Sequence, residues 1–180
     1  SCLDVYNWST AAGGNIAQYS YWGGACQLWI LEKASDTKGT DISLSANDLT
    51  YGNHTNAIIS GSFTIGASSG KNVAVLNRNT TVNGTSYSKV LQMNGGNSTG
   101  RYIKFTATGA CTVKVTAAST STSASRTLRL ASGSVGGSTV GNATITGTPS
   151  TVTYKIPSAG TYYLYSTRNG IYVYQVNVAY

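Results

Sequence analysis

Ten lysines and arginines lie between Lys71 and Arg168, and no aspartate or glutamate lies among them. The chemistry open to such a set is the gripping of anions, because ammonium and guanidinium groups make charge-assisted hydrogen bonds to carboxylate or phosphate oxygens. The acid-free stretch runs from Leu49 to Tyr180. All five acids (Asp4, Glu32, Asp36, Asp41 and Asp48) fall before it, beside only Lys33 and Lys38. The head therefore carries a net −3 and the body +10, together the +7 of the whole chain. Paired carboxylates for glycoside hydrolysis and the oxygen ligands of a calcium site cannot be built from the body alone. What remains is a basic surface suited to a polyanion.

The other reactive residue types are sparse. His54 is the single histidine and no Cys-x-x-Cys occurs, which argues against zinc. Three cysteines leave at least one thiol, and Cys2–Cys26 is the local candidate pair. Cys111 falls in phase with Val113 and Val115 and reads as a small buried hydrophobe. Asp36, Asp41 and Asp48 lie close together, but their spacing is not that of a calcium loop, and they read as solvated turns and caps. No metal and no cofactor is expected.

The elements that must carry the basic residues are strands. Charged residues make up 9 %, and Gly, Ser, Thr, Asn and Tyr abound, a mixture that favours strands and turns. In Arg101-Tyr102-Ile103-Lys104-Phe105, Ile103 and Phe105 face one way and Tyr102 and Lys104 the other. Lys114, Arg129 and Lys155 alternate with apolar neighbours in the same manner, so all four cations project outward, and a shared face would make them one binding row. Arg126 shares the parity of Leu128 and Leu130 and reads as a partly buried structural arginine. Tyr163, Tyr165, Tyr172 and Tyr174 read as core and corner residues, and Asn169-Gly170 as a tight hairpin between two strong strands. About eight strands with turns every 8 to 15 residues predict an all-β fold, an antiparallel, jelly-roll-like β-sandwich. Lys33 to Asn56 reads as a polar connector, and the organisation is a head of residues 1–34 followed by a sandwich of residues 35–180.

The head reads Cys-Leu-Asp-Val-Tyr-Asn-Trp, then Gly14-Asn15-Ile16-Ala17-Gln18, then Gln27-Leu28-Trp29. It resembles one repeat of the ricin-type lectin fold, carbohydrate-binding module family 13. The resemblance implies sugar-pocket roles for Asp4 with Gln18 or Gln27. A single repeat cannot close a trefoil, and Cys26 stands where the family usually has another polar residue. The expectation is a leftover terminal repeat packed on the body, with a working galactose-type pocket as the alternative.

The body carries Tyr-Ser-Lys89-x-Leu, Arg-x-Ile-Lys104-Phe, Arg-Thr-Leu and Gly-Thr-Tyr-Tyr-Leu-Tyr-Ser. Over roughly residues 44–178 it is similar to the β-sandwich that accompanies bacterial pectate lyases, closest to carbohydrate-binding module family 77. The resemblance implies a non-catalytic module that grips the carboxylates of low-ester homogalacturonan with basic side chains and without calcium. Carried over by motif, Lys89 and Lys104 are the best matches, expected together on one exposed sheet face, with Lys155 or Arg168 as the third. It also implies a parent multidomain enzyme of plant-cell-wall degradation, and a secreted, monomeric module.

Three alternatives compete. A neutral-sugar lectin would bind galactan, arabinan or xylan through aromatics or Asp4, yet all three tryptophans (Trp8, Trp22, Trp29) lie in the head. A pectate lyase fragment would need calcium-binding aspartates and a long parallel β-helix, and the chain shows neither. Nucleic acid would suit a basic, tyrosine-bearing sheet, but the extracellular style of the composition weighs against it. No run of 18 apolar residues spans a membrane. No signal peptide opens the sequence, which begins inside a motif and reads as a mature or excised fragment. The six Asn-x-Ser/Thr sites (Asn7, Asn53, Asn79, Asn83, Asn97, Asn142) follow from the composition and would carry glycans only in a eukaryotic secretory pathway.

Overall fold

The alternation seen in the sequence becomes strands because one face of each must be buried against a second layer. The computed structural model describes residues 1–8, 15–27, 39–95 and 100–180. Its contacts divide the chain into two units, Ser1–Thr37 and Lys38–Tyr180. In the first, β1 (Cys2–Val5) pairs antiparallel with β2 (Ile16–Tyr19). Among the described residues the only helical segments are three-residue 3-10 turns, and no helix is long and apolar enough to cross a membrane.

The second unit is an antiparallel β-sandwich. Its strands are β3 (Ile42–Ser45), β4 (Gly52–His54), β5 (Ile58–Ser60), β6 (Phe63–Ile65), β7 (Val73–Val82), β8 (Thr85–Met93), β9 (Ile103–Ala107), β10 (Cys111–Ser119), β11 (Arg126–Ser132), β12 (Ser138–Ile145), β13 (Ser150–Ile156), β14 (Gly160–Ser166) and β15 (Ile171–Ala179). Sheet I runs β13-β10-β15-β8-β7-β4, with β3 also on β15; sheet II runs β12-β11-β14-β9-β6-β5. Between them lie Ile65, Leu91, Ile103, Phe105, Leu130, Leu164 and Ile171, each less than 2 % exposed. Phe105 packs against both Phe63 and Tyr162, with ring centroids 5.7 and 5.9 Å away. Tyr154 of sheet I crosses the core and donates its hydroxyl to the Leu128 carbonyl of sheet II at 2.9 Å. Burial pushes that hydroxyl well above the ordinary tyrosine range. Cys111 is buried, as its phase with the valines predicted, and burial raises its thiol pKa.

The segment from Ile42 to His54 is not a solvated connector. Ile42 and Leu44 point into the core while Ser43 and Ser45 point out, and four residues are too few for that alternation to stand out among polar neighbours. Residues 171–173 of β15 pair with β8, but residues 175–178 pair with β3, because β8 leaves the sheet at that point. A register shift between Asn77 and Thr80 accompanies the departure. The β7–β8 hairpin then folds across the outer face of sheet I. Its turn is Asn83-Gly84, with φ of 49° and 79°, the left-handed pair a tight hairpin needs. At the tip Asn83 Nδ2 donates to Thr151 Oγ1 of β13 at 3.4 Å. Val82, Tyr87, Val90, Ala118 and Tyr174 form a second apolar cluster with this hairpin.

Asn169-Gly170 is therefore not the hairpin turn. β14 belongs to sheet II and β15 to sheet I, so this turn, with Asn169 at φ 60°, carries the chain between layers. Two strong strands joined by Asn-Gly mimic a hairpin, but each of these buries a face against the same core from opposite sides.

Candidate functional site

The four basic residues singled out by motif do not share a face. Lys104 lies on the outer side of sheet II, cross-strand from Tyr163 and Thr64. Lys155 lies on edge strand β13 of sheet I, with Nζ donating to Thr112 Oγ1 at 2.9 Å. Arg168 is exposed in the β14–β15 turn. Lys89 is on β8 where that strand leaves the sheet, and its ammonium is engaged: Nζ donates to the carbonyls of Asn47 at 3.1 Å and Leu49 at 2.8 Å. Asn47 completes the join, its Oδ1 accepting from the backbone amides of Ser88 and Lys89 at 2.9 and 3.0 Å. The expectation of Lys89 and Lys104 side by side on one exposed face is thus overturned. Alternation fixes which side of a strand a residue takes but not which sheet the strand joins. The outward row divides likewise, with Lys104 and Arg129 outside sheet II and Lys114 and Lys155 outside sheet I.

What surrounds Lys104 was only half legible. Tyr102 lies just before β9, two residues ahead of Lys104, and Tyr163 faces Lys104 from β14, so all three project to the same side. The two rings meet edge-on, centroids 5.3 Å apart at 68°. Tyr163 is half-buried on this outer face rather than in the core. Tyr165 shares the face, cross-strand from Arg129, but is buried with its hydroxyl accepting from the Gly136 amide at 3.1 Å, and Tyr174 is buried in the second apolar cluster. Backbone approach sets the position of Tyr102. The Gly66 amide donates to the Tyr102 carbonyl at 2.8 Å, and a Cβ at Gly66 would sit 2.5 Å from the Tyr102 ring.

Beside Tyr102 a cleft of about 320 Å³ is walled by the turn Ser68–Lys71 and lined by Lys71, Ser68, Ser69, Ala57 and Gly100. Arg101 fixes this wall, donating to the Asn72 carbonyl at 2.8 Å and, at 3.4 Å, to those of Gly70 and Asn94. Arg101 is therefore spent on structure, while partly buried Arg126 donates from Nη1 to the neighbouring Ser125 carbonyl at 2.9 Å and leaves its buried Nε without a hydrogen bond among the described residues. Arg129 also opens on this sheet face, its Nε donating to Asn142 Oδ1 at 2.9 Å.

Among the described residues, Lys71 and Lys104 make no side-chain hydrogen bond or ion pair. No strand of sheet II contains an acid. The unit's two carboxylates, Asp41 and Asp48, both lie in the segment around β3, and Asp41 accepts from the Tyr180 amide at 3.0 Å. No cluster of three metal-ligating groups occurs among the described residues. The outer face of sheet II thus offers aromatic rings for the C–H face of a sugar and uncompensated ammonium groups for a carboxylate, without acid–base partners.

The head unit has its own polar brace. Asp4 is 8 % exposed, and its Oδ2 accepts from Gln27 Nε2 at 3.1 Å. Gln27 also donates to the Ser20 carbonyl at 3.1 Å and accepts from the Trp22 amide at 2.9 Å. The two residues expected to reach sugar are engaged with each other, and exposed Gln18 donates to Ser1 Oγ at 2.7 Å. Cys2 is a free thiol, and the side chain of Cys26, its candidate partner, lies outside the described residues. Trp29, Glu32, Lys33 and Asp36 lie outside the described residues.

No protein-family model matches the chain, and no curated protein does. Several solved structures share its outline. A chain from work on glycan recognition by the Ruminococcus flavefaciens cellulosome is 15 % identical, covering 79 % of this chain and 95 % of its own, with a TM-score of 0.49. The xylan-binding CBM22-1 domain of Paenibacillus barcinonensis Xyn10C is 14 % identical over 81 % of this chain and 97 % of its own, TM-score 0.48. The K1 cleaved adhesin domain of Lys-gingipain from Porphyromonas gingivalis is 16 % identical over 78 % and 98 %, TM-score 0.49. None of these likenesses carries a ligand over to this chain.

Proposed function

We propose that this sandwich is a non-catalytic carbohydrate-binding module whose ligand is low-ester homogalacturonan, held on the outer face of sheet II. The observation that carries the reading is Lys104, an ammonium with no protein partner among the described residues, set beside the crossed rings of Tyr102 and Tyr163 on a sheet without a single acid. Like charges at Lys71, Lys104 and Arg129 repel one another while the face is empty, and a polyuronate relieves that repulsion. The tyrosine rings take the sugar's C–H face, and the ammonium groups take carboxylates along the chain. Lys155 and Arg168 lie away from this face and bear on the ligand only through the general positive field. The module serves to hold an appended, secreted plant-cell-wall enzyme on its substrate.

Affinity electrophoresis through gels containing pectins of graded methyl esterification tests the reading. Retardation should be strongest in the de-esterified gel, fade with esterification, and weaken as salt rises. Lys104→Ala should lose at least about tenfold in affinity, the loss of one charge-assisted contact. Equal retardation in all gels, or none in the de-esterified one, refutes the proposal.

A further inference from the structure

Arg78 occupies an unusual position on the opposite side of the sandwich. It follows Asn77 at the register shift where the β7–β8 hairpin leaves sheet I. Its guanidinium carbon stands 4.7 Å from the centroid of the Tyr172 ring, and its Nε donates to the Tyr174 hydroxyl at 3.2 Å. Tyr174 is fully buried, and Tyr172 packs half-buried against the same apolar cluster, so both supports are rigid. One face of the guanidinium is thus covered by a ring and one N–H is held by a hydroxyl.

The remaining edge is unused. Arg78 is exposed, and among the described residues Nη1 and Nη2 make no hydrogen bond and no ion pair. Pinning the hairpin needs only the Nε bond and the stacking; it does not need a fork of two further N–H groups facing solvent. A fork immobilised in this way has already lost the rotamer freedom that binding would cost, and its geometry matches a planar carboxylate taken end-on through two parallel hydrogen bonds. Gln92 is the cross-strand partner of Tyr172, and its Nε2 donates to Asn94 Oδ1 at 3.2 Å, which leaves its side-chain oxygen for a sugar hydroxyl.

We infer that Arg78, seated on Tyr172, forms a second carboxylate-binding site that takes a uronate residue, on the face of the sandwich remote from Lys104. The ligand class rests on the function proposed above, but the site does not share its residues. One chain would then engage two polyuronate segments and gain from their effective concentration.

The test is a titration of the full chain with fully de-esterified trigalacturonate, followed by NMR at the Nε–H groups of the five arginines and at the backbone amides. Saturable shifts are expected at Arg78 and Tyr172, fitted separately from those at Lys104 and Tyr163, with two ligands bound per chain. Arg78→Lys keeps the charge and removes the fork; it should weaken the Arg78 site at least fivefold and leave the Lys104 site unchanged. Shifts at Lys104 and Tyr163 alone, with one ligand per chain, overturn the second site and leave the proposed function standing. Shifts at Arg78 and Tyr172 alone support it and overturn the reading of sheet II. An absence of shifts overturns both. An Arg78→Lys variant that binds like the parent, or acetate that reproduces the Arg78 shifts at equal concentration, also overturns the uronate assignment.

Discussion

Removing the Lys89 ammonium should cost stability rather than binding. Its Nζ donates to the Asn47 and Leu49 carbonyls at 3.1 and 2.8 Å, tying the 3-10 turn after β3 to the point where β8 departs. A hydrogen bond from a charged donor is worth roughly 1.5–3 kcal/mol net, and the lower end applies to a half-buried site, so two bonds sum to about 3 kcal/mol. Releasing the ordered lysine side chain returns about 1.5–2 kcal/mol of rotamer entropy. Lys89→Ala should therefore destabilise the sandwich by about 1–1.5 kcal/mol. For a unit of about 140 residues this lowers the melting temperature by roughly 3–5 °C. Lys89→Met, which keeps most of the stem, should lose a similar amount and so assign the effect to the ammonium. Urea unfolding followed by circular dichroism, with an unchanged m-value, is the assay. Lys104→Ala is the control and should stay within about 0.5 kcal/mol of the parent. A Lys89→Ala protein as stable as the parent that has lost pectin binding would refute the structural role and return Lys89 to the ligand.

Three further outcomes follow from the same contacts. Tyr154→Phe leaves the buried Leu128 carbonyl without its donor and should cost about 1–3 kcal/mol by the same unfolding assay. Burial raises the pKa of Tyr154 and Tyr174 in the folded state, so their contribution to stability is intact below the unfolded tyrosine pKa of about 10 and is lost as pH rises above it; melting temperature plotted against pH should turn down there. Gly66→Ala places a methyl against the Tyr102 ring, and pectin affinity should fall several-fold while the Tyr102 and Tyr163 ring resonances shift.

The sandwich was legible because its long strands alternate. Ile103 and Phe105 inward with Tyr102 and Lys104 outward, Val113 and Val115 around Lys114, and Tyr154 and Ile156 around Lys155 all stand as the pattern predicts. The short and polar strands were not. β3 and β4 were absorbed into a connector, and β12 went unread because only Ile145 of its eight residues is fully buried. The arm from Asn77 to Thr85 also escaped notice, since its polar run hides the Asn83-Gly84 turn. The candidate site was half visible: parity gave Tyr102 and Lys104 a common side, but sheet membership is a long-range property that no local pattern carries. Hence Lys89 and Lys155 fell on the other sheet, Tyr163 emerged from the assumed core, and the seat of Arg78 on Tyr172, 94 positions along the chain, went unseen.

The central claim is that sheet II holds a polyuronate through its charge. Isothermal titration of the full chain with a de-esterified homogalacturonan oligosaccharide, and with its fully methyl-esterified counterpart, measures this directly. Saturable binding of the acid, at least tenfold weaker binding of the ester, and loss of the difference when Lys104→Ala is combined with removal of the Arg78 site (Arg78→Lys) is the predicted result. Equal affinity for the two oligosaccharides, or a difference that survives in that double variant, contradicts it.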